Sequence, residues 1–278
     1  MSEISAKLVM SLRDRTNLPM MKCKAALLAT AGAANDDAWA QAAMDHLRKQ
    51  GMAAMDKFAG RETTNGGCGM ALGTGTGTIV LLACQTDFVS GNDVFKAFVQ
   101  KLADTSLALG CDNAEVLKAA AFEGGTAQEA VIARVAQIGE KIEIAKVVAL
   151  TGESVVGYNH GGRIATLVAG SGDAAKLRMI ALHVASASPA PVGLDRASVD
   201  PAKVEKEKEI LLATPEVQGK PEAMRGKIIE GKLGRFFKEN VLLEQEMLLD
   251  AEKGESVQAY AKRHSLTVTG FVRVQVGA

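Results

Sequence analysis

The sequence predicts an α+β protein: a small helical module, two subdomains that each combine strands with helices, and a helical hairpin inserted late in the chain. Three observations predict it. Apolar residues recur at helical spacing over the first 55 positions and give way to strand-like runs from position 66. GTIVLLACQTDF at 77–88 and GRIATLVAGSGD at 162–173 share one plan: hairpin, short polar exit, helix on the sheet. Residues 190–240 are charge-dense, with one thin apolar seam. The expected divisions are 1–55 for the helical module, 56–141 for the first core subdomain and 142–278 for the second, with the hairpin inserted at about 200–240.

In the module, Ile4, Leu8 and Leu12 recur every four residues, with Val9 alongside. Thr16-Asn17-Leu18-Pro19 breaks that helix, and Pro19 suits the first turn of the next because its missing N–H is not needed there. MMKCKAALLATA is expected to stop at Gly32. Asn35 and Asp36 can cap a third helix that carries Trp39, Ala43, Met44 and Leu47 inward and stops at Gly51. Residues 52–62 then read as a tether.

GCGMALG and TIVLLAC flank the turn-prone TGTG at 74–77 and predict paired strands. Asn92 is expected to cap a helix with Val94, Phe95, Phe98, Val99 and Leu102 on its apolar face. Thr126 and Glu129 have the spacing of a capping box before a helix that buries Ile132, Val135 and Ile138 and stops at Gly139. IEIAKVVALTG at 142–152 reads as a strand. SVVGYNH and GRIATLVAG form a hairpin around Gly161-Gly162, Asp173 caps a helix carrying Leu177, Ile180, Ala181 and Val184, and VTGFVRVQV at 268–276 is a last strand. Between them, Val204, Ile210 and Leu211 on one arm and Met224, Ile228, Ile229 and Leu233 on the other suit an antiparallel hairpin projecting from the body.

With 278 residues, 47% hydrophobic and 23% charged, the chain has the composition of a soluble globular protein. Lys plus Arg and Asp plus Glu both total 32, which argues against a large footprint on nucleic acid or an anionic membrane. Cys23, Cys68, Cys84 and Cys111 form no CxxC pair, and His46, His160, His183 and His264 lack ligand spacing, so neither a metal nor a cofactor is expected. The opening residues lack the basic and apolar regions of a signal peptide, and no apolar run approaches the ~18 residues of a membrane span. A reduced, cytoplasmic setting is expected.

An enzyme reading fares poorly. GTGTGT at 73–78 leads into a strand, whereas a phosphate cradle needs backbone N–H groups at a helix start, and no GK[ST] follows. Cys84 sits in an apolar strand with no orienting partner, which weakens its pairing with His160 as nucleophile and base. His183 lies in a helical apolar pattern and reads as structural. Contact features remain. Asp87-Phe88 falls between a strand and a helix whose aromatic bulk is already supplied by Phe95 and Phe98, so Phe88 is spare and suits an interface wedge.

Three ordered motifs resemble one family, the bacterial elongation factor Ts proteins. LVMSLRDRTNLPMMKCKAAL at 8–27 is similar to its first signature, CQTDFV at 84–89 matches the second, and GYNHGGRIATLVA at 157–169 looks like the third. The resemblance implies a ubiquitin-associated-like helical module, two α+β subdomains with antiparallel sheets and an inserted coiled coil. It also implies nucleotide exchange on elongation factor Tu, with no bond broken. Thr86, Asp87, Phe88 and Val89 would then press on the partner near its magnesium and phosphate site. Ile138, Gly139 and His160 match further contact positions, as do Arg13, Met20, Met21 and Lys24 in the first module. The sequence departs from the family pattern at Lys22, at Ala25 and at Asn17-Leu18-Pro19, which alters the charge of that module's contact face. A C-terminal helical segment found in some members has no counterpart after the last strand, so its contribution is expected to be lost or replaced. Two occupants stay open for the hairpin: a second copy, giving a homodimer or a 2:2 complex, or the partner's far domain.

Overall fold

A computed structural model describes residues 4–16, 18–32 and 35–278. The proposed break at Asn17 lies outside the described residues, although helices end at Thr16 and begin at Met20 on either side of it. The chain divides into two compact units: Met1–Gly69 with Val80–Val147 and Val276–Ala278, and Met70–Ile79 with Val148–Gln275. The fold is α+β. Strands β1 (Asn65–Gly73), β2 (Thr76–Cys84) and β5 (Ile142–Thr151) make one sheet in the order β1-β2-β5.

The first unit opens with α1 (Ala6–Thr16), α2 (Met20–Ala29) and α3 (Asp36–Phe58). Leu8, Val9 and Leu12 bury against Cys23, Ala26, Leu27, Trp39, Ala43 and Leu47, as the four-residue spacing requires. The indole N–H of Trp39 donates to the Leu27 carbonyl at 2.8 Å, so its one polar atom is satisfied inside this small core. Asn35 caps α3 by accepting from the Ala38 N–H. The expected stop at Gly51 is overturned, because α3 continues to Phe58 and Met52–Phe58 are helical rather than a tether. A glycine in a helix interior costs only about 1 kcal/mol, which tertiary contact readily outweighs. Here the contact is explicit: a Cβ on Gly51 would stand 2.6 Å from Ile132 Cγ2.

After β2 the unit continues through α4 (Asp87–Gly91), α5 (Asp93–Leu109), α6 (Ala114–Ala119), the short pair β3 (Ala121–Phe122) and β4 (Gly125–Thr126), and α7 (Ala127–Ile138). Phe95, Phe98, Val99 and Leu102 are buried on α5, but Val94 is exposed, since it lies off the inward stripe at the first turn. The Thr126–Glu129 capping box is present, and α7 buries Val131, Ile132 and Val135. Ile138, expected inside, is 40% exposed because it occupies the last helical position before the left-handed Gly139 (φ 83°).

The second unit is built on β6 (Ser154–His160), β7 (Ile164–Ser171) and, much later, β8 (Thr267–Gln275), all antiparallel in the order β6-β7-β8. His160 pairs with Ile164 across the Gly161-Gly162 turn, where both glycines have positive φ. Helix α8 (Ala174–Ser186) is capped by Asp173 and covers the sheet with Leu177, Ile180, Ala181 and Val184. Helix α12 (Val257–Arg263), for which the sequence reading made no provision, adds Val257, Tyr260 and Ala261 to the same core. The two halves differ at the polar exit: β7 leads through Gly172 directly to α8, whereas β2 is followed by the extra turn α4.

The inserted hairpin consists of α9 (Pro201–Ala213), the single turn α10 (Pro215–Gln218) and α11 (Glu222–Asn240). Ile229 is buried and Val204, Leu211, Ile228 and Leu233 are half-buried, but Ile210 and Met224 are exposed. The seam is narrower than expected because Ile210 and Met224 face outward, while Val217, on the connecting turn, is fully buried. Among the described residues no helix is long and apolar enough to cross a membrane.

Candidate partner-contact site

The exit from β2 is held by side chains on both of its flanks. Asn65 Nδ2 donates to the Gln85 carbonyl at 3.0 Å, and the Gln85 side-chain oxygen accepts from the Lys141 N–H at 2.9 Å. Thr86 then does two jobs with one hydroxyl. Its oxygen accepts from the Val89 N–H at 3.4 Å, capping α4, and its proton is directed to Glu140, whose two carboxylate oxygens each lie 3.0 Å away. Asp87 and Phe88 thus occupy the first turn of a short helix and not the stiff non-helical corner between strand and helix that the sequence implied. Asp87 stands at the positive end of that turn, where a carboxylate is favoured. Phe88 is 87% exposed.

Exposure of this degree costs the folded chain the burial of one aromatic ring, roughly 1.5–3 kcal/mol. The brace beneath it is correspondingly strong for a surface feature. Thr86→Val removes both the cap and the bond to Glu140, and at about 1 kcal/mol it should raise amide exchange at Val89 about fivefold. The same substitution should lower global stability by no more than that ~1 kcal/mol, since Thr86 is only half-buried; exchange measured residue by residue checks both.

Glu140 is the link to the next predicted contact. It follows Ile138 and Gly139 directly, so the bond from Thr86 brings the end of α7 and the start of α4 together in one patch. Arg13, Met20, Met21 and Lys24 are all exposed on α1 and α2 of the same unit, Met21 at 74%. His160 belongs to the second unit. There it is exposed on the hairpin tip, with Nδ1 3.0 Å from the Tyr158 hydroxyl, while the Asn159 side chain accepts from the Gly162 N–H at 2.9 Å and sets the turn.

Nucleophilic chemistry is disfavoured at this exit. Cys84 is buried, and desolvation followed by the nearby Glu140 charge pushes its thiol up to about 11, so it stays protonated at neutral pH. Among the described residues no group of three His, Cys, Asp or Glu side chains could hold a metal ion.

The family described as Elongation factor TS matches residues 85–278, a span that begins at Gln85 in this exit. The chain belongs to the elongation factor Ts family. Elongation factor Ts of Paracoccus denitrificans is 37% identical over 284 residues, covering 99% of this chain and 92% of that protein. Elongation factor Ts of Rhodospirillum rubrum is 39% identical over 298 residues, covering 100% and 94%. That of Histophilus somni is 38% identical over 277 residues, covering 100% and 92%. Membership makes this a translation elongation factor. The bonds of Thr86 to Glu140 and of Gln85 to Lys141, which hold the elongation factor Ts motif in place, were not legible in the sequence. Their partners lie 54 and 56 positions apart, and no spacing rule connects residues at that distance.

Proposed function

We propose that this elongation factor Ts family member speeds release of GDP from elongation factor Tu, by binding the nucleotide-free GTPase more tightly than the loaded one. Linkage makes the two statements equivalent: whatever the factor gains on the empty GTPase, the nucleotide loses. The exposed Phe88 ring on its braced helical turn supports this reading most, together with Asp87 beside it. Thr86 and Val89 hold that turn, and the pair presses on the partner near its magnesium and phosphate site.

Moving an equilibrium from 1:99 to 99:1 takes about 5.5 kcal/mol of differential binding, more than one ring supplies. Ile138, Gly139 and His160, and Arg13, Met20, Met21 and Lys24 on the first module, supply the remainder in this reading. The partition into a ubiquitin-associated-like module at 1–55 and core subdomains at 56–141 and 142–278 belongs to the same proposal, as do a cytoplasmic location and a protein partner without nucleic acid or membrane. No bond is made or broken, so the factor is a binding catalyst. The test is release of labelled GDP from purified elongation factor Tu with and without this protein. Acceleration is expected; binding without acceleration would replace exchange with a scaffold role.

A further inference from the structure

Helix α7 has contacts at both ends that nothing above requires. Lys22, fully outside the core of its own module, donates from Nζ to the carbonyl of Ala136 at 2.5 Å, in the last turn of α7. A cation at a helix C-terminus meets both an orphan carbonyl and the negative end of the helix dipole. Toward the other end, Arg48 of α3 pairs with Glu129, the capping-box carboxylate of α7. Between them, Gly51 lets α3 approach so closely that a Cβ would meet Ile132 Cγ2 at 2.6 Å and the Ile132 carbonyl at 3.2 Å. Beside these contacts a cleft of about 410 Å³ opens among Arg15, Met44, Leu47, Ala133 and the β3–β4 turn. The cleft contributes no dispersion contacts, so α3 seats the module along α7 past Gly51, where Gln128 Nε2 also donates to Met55 Sδ at 3.6 Å, and Lys22 adds a direct bond from α2.

We propose that Lys22 and Gly51 are positioning residues that dock the three-helix module on α7. The far end of α7 runs through Ile138 and Gly139 into Glu140, which holds Thr86 and so the Phe88 turn. Module and wedge then form one preorganised surface, so a single partner binds both without first ordering them. As a role in exchange this rests on the function proposed above; as a property of the free protein it does not.

Two measurements separate these. Spin labels at Leu28→Cys on α2 and Leu109→Cys on α5, both exposed sites, report the placement of the module in the full-length chain, whose four native cysteines are buried. One narrow distance is expected for the parent. Lys22→Met, at an exposed position that leaves the module core intact, should broaden it, Lys22→Arg should restore it, and Gly51→Val should broaden it further. In GDP release, Lys22→Met should raise the half-maximal concentration of the factor roughly fivefold and leave the maximal rate unchanged, the effect of losing one solvent-exposed hydrogen bond of ordinary strength. Unchanged distances in both Lys22→Met and Gly51→Val would overturn the docking. Broadened distances with an unshifted half-maximal concentration would overturn the positioning role. A parent protein that does not speed release would refute the proposed function, while the distances still decide the docking.

Discussion

Phe88→Ala should slow stimulated GDP release roughly ten- to hundredfold while the thermal midpoint stays where it was. The first half follows from the ~1.5–3 kcal/mol that a buried aromatic ring contributes, at 1.4 kcal/mol per decade, if that burial occurs only against the empty GTPase. The second half follows from the ring being 87% exposed in the free protein, so truncation leaves no cavity and frees no polar group. Stopped-flow release of a fluorescent GDP and a thermal melt of the same preparation check both. A midpoint that drops by several degrees would mean that the ring packs against its own chain. An unchanged release rate would remove Phe88 from the mechanism. Phe88→Leu separates size from shape: it keeps much of the apolar area and should recover part of the rate, as expected for a filled pocket.

The largest stability effect is expected far from that turn, at His183. Buried on α8, it accepts from the Leu248 N–H at Nδ1, 3.3 Å, which leaves Nε2–H to donate to the Gln245 side-chain oxygen at 3.0 Å. Gln245 in turn donates to the carbonyls of Pro189 and Glu239 at 3.0 and 2.8 Å. One imidazole thereby ties α8 to the two strands of chain that enter and leave the inserted hairpin. His183→Leu strands the buried Gln245 side-chain oxygen and frees the part-buried Leu248 N–H, and at about 1–3 kcal/mol for the buried group and less for the other the variant should lose roughly 2–4 kcal/mol of stability in denaturant unfolding. His183→Gln, which can keep one of the bonds, should lose less.

The same residue sets a pH dependence with a definite sign. Burial holds the His183 pKa below its ordinary 6.5, with the bond to Gln245 opposing but not cancelling the shift. Between the folded and unfolded pKa values the unfolded chain binds the extra proton and the native chain does not, so stability falls as pH drops below about 6.5 and levels off beneath the folded pKa. Unfolding measured between neutral pH and about pH 5 should show that slope in the parent and a shallower one in His183→Gln. An equal slope in both would assign the effect to other groups.

Much of the site was legible because its residues are sequence neighbours. The run from Cys84 to Val89 had to leave a buried strand through polar residues, and with Phe95 and Phe98 filling the adjacent helix face, Phe88 had nowhere inward to go. Helix caps at Asn35, Asn92, Thr126 and Asp173 were equally readable, because a cap satisfies N–H groups two or three residues away. The misreadings have two causes. Gly51 looks like a helix stop in isolation but was decided by the close approach of Ile132, whereas Ile138 looks like a core position by period alone but stands at the exposed end of α7.

By itself, then, the amino-acid order determined most of the long helices and strands and where they start, though not α4, α6, the β3–β4 pair or α12, and that one acid and one aromatic ring stand spare at the end of a strand. Only the tertiary structure decided that Thr86 leans on Glu140, that Lys22 reaches α7 and that His183 is tied to Gln245. The reason is range. Periodicity and capping act over a few residues, whereas these bonds join positions 54, 114 and 62 apart, and only packing brings such residues within hydrogen-bond distance.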